Sequence, residues 1–325
     1  SARAPEPART MDGQSDRPAM MGCASSASSP ATSRAPSEGG ARPDAVELPA
    51  ATLAALGLGP GGRPPEPVGP EADYQKVSCI GEGAFGAVWI AKRRCDGGYV
   101  ALKEVPRVRA FLSESLVRHL WAEREALYAI AEARKDGAGE GGWMSPALVG
   151  ALASYATATS VCLVMELVEG GSLHDHLRSA GRIPEDAACW YAAEVAGAIS
   201  WLHRAGWLYR DLKLTNVLVS AHSGRARLVD FGFATRRLRA STAVGTLAYM
   251  APEAIRCGLE QAKPEEARAR LDYGPAADWW GIGVLIFEML TGSLPFGCHD
   301  EVLLEGAQVL EKQARGAAAG LPWTP

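Results

Sequence analysis

The sequence predicts an α+β fold in which strands come early and long helices come late. Three observations carry this expectation. Residues 74–80, 88–91 and 99–103 are short β-branched or aromatic runs broken by glycines, the pattern of successive strands. Apolar residues then recur at helical spacing on 113–130 and 184–204, and 276–290 is apolar on nearly every side. Between the last two, Asp211, Lys213 and Asn216 gather a carboxylate, an ammonium and a carboxamide, with Trp207 and Leu208 before them and Val217, Leu218 and Val219 after. Polar groups collected between apolar runs are either a solvated turn or a site.

Length and charge set the bounds. The 325 residues allow one large domain or two, and the formal net charge of −4 gives no electrostatic reason to expect a nucleic-acid partner. Seven cysteines, an odd number without a C-x-x-C pair, favour a reducing, cytoplasmic setting over a disulfide framework or a zinc site. The stretch 276–290 contains Asp278 and Glu288 and is shorter than the roughly 20 residues a membrane span requires, so it reads as a core helix.

Taken in order, residues 1–72 form a low-complexity tail rich in Ala, Pro, Gly and Ser, with little to bury, and disorder is expected. Residues 46–58 are its one helix or docking candidate. The chain begins with Ser, so residues before Met11, Met20 or Met21 need not belong to the native product. Met21-Gly22-Cys23-Ala24-Ser25-Ser26 fits an acylation signal if Met21 is the start. Gly22 and Cys23 would then take two acyl chains and place the protein at a membrane; otherwise the match is chance.

After the strand 74–80 comes Gly81-Glu82-Gly83-Ala84-Phe85-Gly86-Ala87-Val88. Glycines so spaced let backbone amides approach a phosphate without a Cβ in the way. A dinucleotide site would follow them with a helix, whereas here a strand follows. Lys103 closes the third strand, 99–103. On the helix 113–130, Leu116, Leu120, Leu127 and Ile130 share one face with Glu123. A buried carboxylate needs a cation, and Lys103 is the candidate; a Glu123 at the stripe's edge, in water, is the alternative. Residues 134–142 read as a surface loop, and 161–168 as an apolar strand running out at Glu169-Gly170-Gly171. The helix 184–204 has Pro184 in its first turn, a stripe of Tyr191, Val195, Ile199 and Leu202, and Gly206 as its stop. A strand at 226–229 leads into Asp230-Phe231-Gly232. Residues 258–271 are a charged inserted loop, 273–291 a helix, and about 301–313 the last helix. Asp211 and Asp230 with the Asn216 amide are what magnesium phosphate chemistry asks for, one carboxylate to orient a hydroxyl and the other to hold metal with the amide.

Tyr209-Arg210-Asp211-Leu212-Lys213-Leu214-Thr215-Asn216 followed by Asp230-Phe231-Gly232 resembles the catalytic loop and metal-binding turn of protein kinases. At least six motifs stand in that family's order from Tyr74 onward, including the glycine loop, Lys103, Glu123, Gly245-Thr246-Leu247-Ala248-Tyr249-Met250-Ala251-Pro252-Glu253 and Asp278-Trp279-Trp280. The resemblance implies a two-lobed fold, a small β-rich N-lobe at about 73–166 and a larger, mostly helical C-lobe at about 170–325, using ATP and Mg²⁺ on protein Ser or Thr hydroxyls. By the same resemblance Ile80, Gly81, Glu82, Gly83, Ala84, Phe85, Gly86, Val88, Ala101 and Leu218 enclose ATP. Met165 borders adenine, and Glu166 and Val168 offer it backbone groups. Lys103 holds phosphate and is itself held by Glu123. Asn216 and Asp230 hold metal, Asp211 is the catalytic carboxylate, and Lys213 meets the γ-phosphate. Thr242 is the activation-loop phosphosite with Arg210 as its partner, His119 matches a phosphate-contacting position, Thr246 belongs to the substrate platform, and Asp278 supports the catalytic loop.

Tyr209, Phe233-Ala234 and Asp278-Trp279-Trp280 resemble the AGC group, near the cyclic-nucleotide-dependent kinases, and Lys213 points to serine/threonine specificity. Ser172, Thr215 and Ala248 are not acidic where basophilic AGC kinases carry acids, so arginine preference does not transfer. The run from Gly245 to Glu253 lacks the group's Pro-Glu pair, and the C-lobe is expected to stop short. A catalytically inactive kinase-like module, or a truncated fragment, is the alternative function; a small-molecule kinase would not carry Thr246 with Ala251-Pro252-Glu253.

Overall fold

The computed structural model describes residues 71–83, 86–111, 113–135, 145–296 and 306–319. The tail with its acylation signal, the candidate segment 46–58, and Ala84 and Phe85 lie outside them. Five strands, β1 (Tyr74–Gly83), β2 (Gly86–Arg93), β3 (Tyr99–Pro106), β4 (Ala151–Ala156) and β5 (Ser160–Glu166), form one antiparallel sheet in the order β1-β2-β3-β5-β4. β1 runs past its expected end at Ile80, because its pairing with β2 continues to Gly83 opposite Gly86. Gly81, Gly83 and Gly86 thus lie on paired strands.

Two helices follow β3, the short α1 (Arg107–Phe111) and the long α2 (Glu114–Lys135). Leu116, Leu120, Leu127 and Ile130 of α2 are buried as their spacing predicts. Each fully buried side chain of this size is worth about 1.5–3 kcal/mol relative to exposure. Arg134 and Lys135, expected in a surface loop, are helical instead. The helix formers Glu132 and Ala133 carry α2 onward, and Arg134 is held by tertiary partners, the Glu166 carboxylate and the Leu148 carbonyl.

The remaining elements are mainly helical. α3 (Leu173–Ala180) opens with a reciprocal cap. Ser172 Oγ accepts from the Asp175 amide at 3.2 Å, and Asp175 accepts from the Ser172 amide at 3.1 Å. α4 (Glu185–Arg204) begins one residue later than expected, with Pro184 as its N-cap. Its acidic Glu185 and Asp186 and its basic His203 and Arg204 suit the ends they occupy. Strands β6 (Val217–Val219) and β7 (Ala226–Leu228) pair as a hairpin. α5 (Pro252–Gln261) takes up the start of the inserted segment, which was expected to be loop from 258. α6 (Ala276–Thr291) is buried on most sides, as its all-round apolar sequence requires. α7 (Gly306–Ala319) extends beyond the predicted end at 313, and residues 301–305 lie outside the description. One continuous cluster of buried residues runs from Leu116, Leu127 and Leu163 through Leu202, Leu214 and Phe231 to Leu285. None of the described helices is long and apolar enough to cross a membrane.

Candidate active site

The strand β3 aims Lys103 at α2. Its Nζ donates to both Glu123 oxygens at 2.7 Å and lies 3.7 Å from Asp230 Oδ1. Glu123 is only 3% exposed, which excludes the solvated-edge alternative. Burial pulls the Lys103 pKa down, but Glu123 and Asp230 outweigh it, so the ammonium is held above its ordinary range. Burial raises Glu123, with Lys103 pulling the other way. Above this pair, Gly81 and Gly83 leave open the space a Cβ would occupy. At Gly86 a Cβ would meet the Glu104 carbonyl at 2.1 Å, and its φ is +136°. The first two glycines leave room for a ligand; the third lets β2 close on β3.

The loop 209–216 is bent around α6. Asp278 accepts from the Tyr209 amide at 3.0 Å, the Arg210 amide at 2.8 Å and His203 Nε2 at 2.7 Å. That anchorage holds Arg210 at a φ of +72°, a conformation costing a non-glycine residue on the order of 1–3 kcal/mol. Asp211 is 2% exposed. Asn216 Nδ2 donates to its carbonyl and to Oδ2, both at 2.9 Å, and Thr246 Oγ1 donates to Oδ1 at 3.1 Å. Lys213 Nζ lies 2.9 Å from Oδ2 and donates to Thr246 Oγ1 at 3.1 Å. Tyr209 donates to the Val229 carbonyl at 2.6 Å and meets Phe231 edge-on. Asp230 also has a positive φ, +59°, and accepts from the Gly232 amide at 3.3 Å.

Arg210 reaches the segment that follows. Its Nε donates to the Phe233 carbonyl at 2.7 Å and its Nη1 to Thr242 Oγ1 at 3.1 Å, while Tyr273 donates to the Thr242 carbonyl at 2.6 Å. His119 packs edge-on against Phe233, and burial and then the Arg210 charge hold its imidazole below the ordinary range. Gly245 crosses the loop so closely that a Cβ would sit 2.3 Å from the Arg210 carbonyl, and its φ is +106°.

On the opposite wall Met165 pairs with Ala101 across the sheet, and Leu218 lies on β6. Glu166, at the end of β5 opposite Val100, binds Arg134 and Arg227 with its carboxylate, which leaves only its backbone for a ligand. Neither arginine was singled out from sequence. A partner separated by 32 or 61 residues leaves no local pattern.

The family model for the protein kinase domain matches residues 74–315. The chain belongs to the protein kinase family. It is 34% identical over 256 residues to the serine/threonine-protein kinase Sgk3 of Rattus norvegicus, a match covering 78% of this chain and 46% of that protein. It is 34% identical over 250 residues to serine/threonine-protein kinase Sgk2 of Homo sapiens, covering 75% and 60%, and 30% identical over 262 residues to RAC-beta serine/threonine-protein kinase B of Xenopus laevis, covering 77% and 48%. The kinase therefore spans about half the length of the curated relatives it matches, and AGC-like is the right description of its motifs.

The family uses ATP, normally with Mg²⁺. The kinase's donor set fits a hard cation. Asn216 commits its Nδ2 to Asp211 and keeps its carbonyl oxygen, and Asp230 adds a carboxylate. Among the described residues no three His, Cys, Asp or Glu side chains cluster to hold a metal by themselves. Phosphate oxygens and water would have to complete the shell. Ser172 is committed to capping α3, Thr215 is exposed and uncharged, and Ala248 has no polar group, so none offers substrate arginine a carboxylate.

Proposed function

We propose that this chain transfers the γ-phosphoryl group of ATP to serine or threonine hydroxyls of protein substrates. The single observation that carries the proposal is the buried Asp211, its oxygens fixed by Asn216, Thr246 and Lys213, in a chain whose closed Lys103–Glu123 pair reaches Asp230 at 3.7 Å. Lys103 and the amides of Gly81 to Gly86 hold the phosphates, against walls formed by Ile80, Val88, Ala101, Met165 and Leu218. Asn216 and Asp230 hold Mg²⁺, which when bound offsets phosphate charge. Asp211 orients the hydroxyl and takes its proton, a role worth about 10²–10⁴-fold. Lys213 meets charge on the transferred group, and Thr246 fixes the platform beside it. A phosphate on Thr242 would bring nearly two negative charges to Arg210, which already reaches its hydroxyl.

The test is phosphate transfer from labelled Mg·ATP to a mixed protein substrate by the full chain, with Asp230→Asn as control. Transfer that disappears in the control establishes the activity. Nucleotide binding without transfer would instead favour the inactive kinase-like module.

A further inference from the structure

A cavity of about 470 Å³ opens between the activation segment and the inserted segment that follows α5. Ser241 and Arg239 line one wall, and Glu260, Arg268, Arg270 and Asp272 line the other. Both carboxylates already have cations. Asp272 binds Arg239, and Glu260 accepts from Lys263 at 2.6 Å and from the Ala269 amide at 3.0 Å. Arg268 uses its Nε on the Lys263 carbonyl at 2.8 Å, and Arg270 makes no hydrogen bond or ion pair among the described residues. Two guanidinium groups therefore border the cavity with no carboxylate partner among the described residues.

Ser241 is held at the rim of this cavity. Gln261 Nε2 donates to its carbonyl at 2.7 Å, and the neighbouring Ala240 pairs with Tyr273 through both backbone bonds, at 2.9 and 2.8 Å. Its other neighbour, Thr242, is bonded to Arg210 instead. Two adjacent hydroxyls thus stand beside two separate sets of cations.

We propose that the cavity is the receptor for a phosphate carried by Ser241, a modification site separate from Thr242. The donor is ATP. Ser241 Oγ bonds to the γ-phosphorus, the bond from that phosphorus to ADP breaks, and the hydroxyl proton passes to the catalytic carboxylate of the kinase molecule performing the transfer. The product places nearly two negative charges and three acceptor oxygens where two planar guanidinium forks can meet them. It would fasten the inserted segment to the activation segment.

The experiment introduces phosphoserine at 241 during translation of the full chain, so its result does not depend on this chain's own activity. The phosphate is then titrated by ³¹P NMR. A free phosphoserine loses its last proton near pH 6. Flanking guanidinium groups are expected to lower that value by about one unit, a tenfold change in proton affinity. The Arg268→Gln/Arg270→Gln double variant, altered only on the exposed insert, should return it to about 6. No shift in the parent, or an equal shift in the double variant, overturns the proposal. A parallel titration of the unmodified chain with inorganic phosphate separates the two sources. Saturable binding that the double variant abolishes, with no shift in the phosphoserine protein, would assign the cavity to an external phosphate and overturn the assignment to Ser241.

Discussion

Asp211 meets three different side chains, two from its own loop and Thr246 from the segment that crosses it, and each contact constrains it differently. Asn216 and Thr246 fix its plane, and Lys213 keeps a cation beside it. Asp211→Asn keeps the shape and removes the proton acceptor. Transfer should fall by about 10²-fold or more, while the nucleotide dissociation constant, measured by titration with ATP, stays within about twofold of the parent, since Asp211 is placed at the hydroxyl and not at the nucleotide. Near-normal turnover would remove Asp211 from the mechanism. The Lys103–Glu123 pair was legible in the sequence for a physical reason: a carboxylate on a buried helical stripe demands a cation, and Lys103 stands in an apolar strand. The carboxylate of Glu166 was not legible, because it ends a strand where either exposure or burial fits the pattern.

At the scale of the element, α2 couples the sheet to the activation segment. Leu120 is buried beneath it, so Leu120→Ala should cost about 2–5 kcal/mol, read from denaturant midpoints at unchanged slope. His119, one residue earlier, links the same helix to pH. Its folded pKa is depressed by burial and by Arg210, so its contribution to stability is present above the unfolded value near 6.5 and is lost as pH falls through that region. Melting temperature should therefore decline below about pH 6.5, and His119→Gln should flatten that decline; an identical slope in the variant would clear His119 of the effect. Strong periodicity made α2, α4 and α6 legible. α3 was missed although Ser172 and Asp175 stand at capping-box spacing, since only eight residues separate that cap from the helix end. The end of α2 runs past its expected limit, and residues 258–261 are helical and not loop, where tertiary bonds to Glu166 and to Ser241 add to the local signal.

Across the whole molecule, one carboxylate at the end of β5 gathers α2 and β7. Glu166→Gln would leave the half-buried guanidinium groups of Arg134 and Arg227 near each other without their common anion. A loss of roughly 1–2 kcal/mol in unfolding free energy is expected, together with a weaker grip on ATP measured by titration; a variant as stable as the parent would make the tie incidental. The two-lobed plan was legible because motif order fixes it. The packing of the inserted segment on the activation segment was not, because charged, apolar-poor stretches carry no periodicity to read. Gly245 has a consequence of a different kind. One added carbon there would strike the Arg210 carbonyl at 2.3 Å, at a φ of +106° that other residues resist. A missense allele replacing Gly245 with alanine, among the mildest exchanges by residue chemistry, would behave in a pedigree or a genetic screen as a null allele, with every catalytic side chain still encoded.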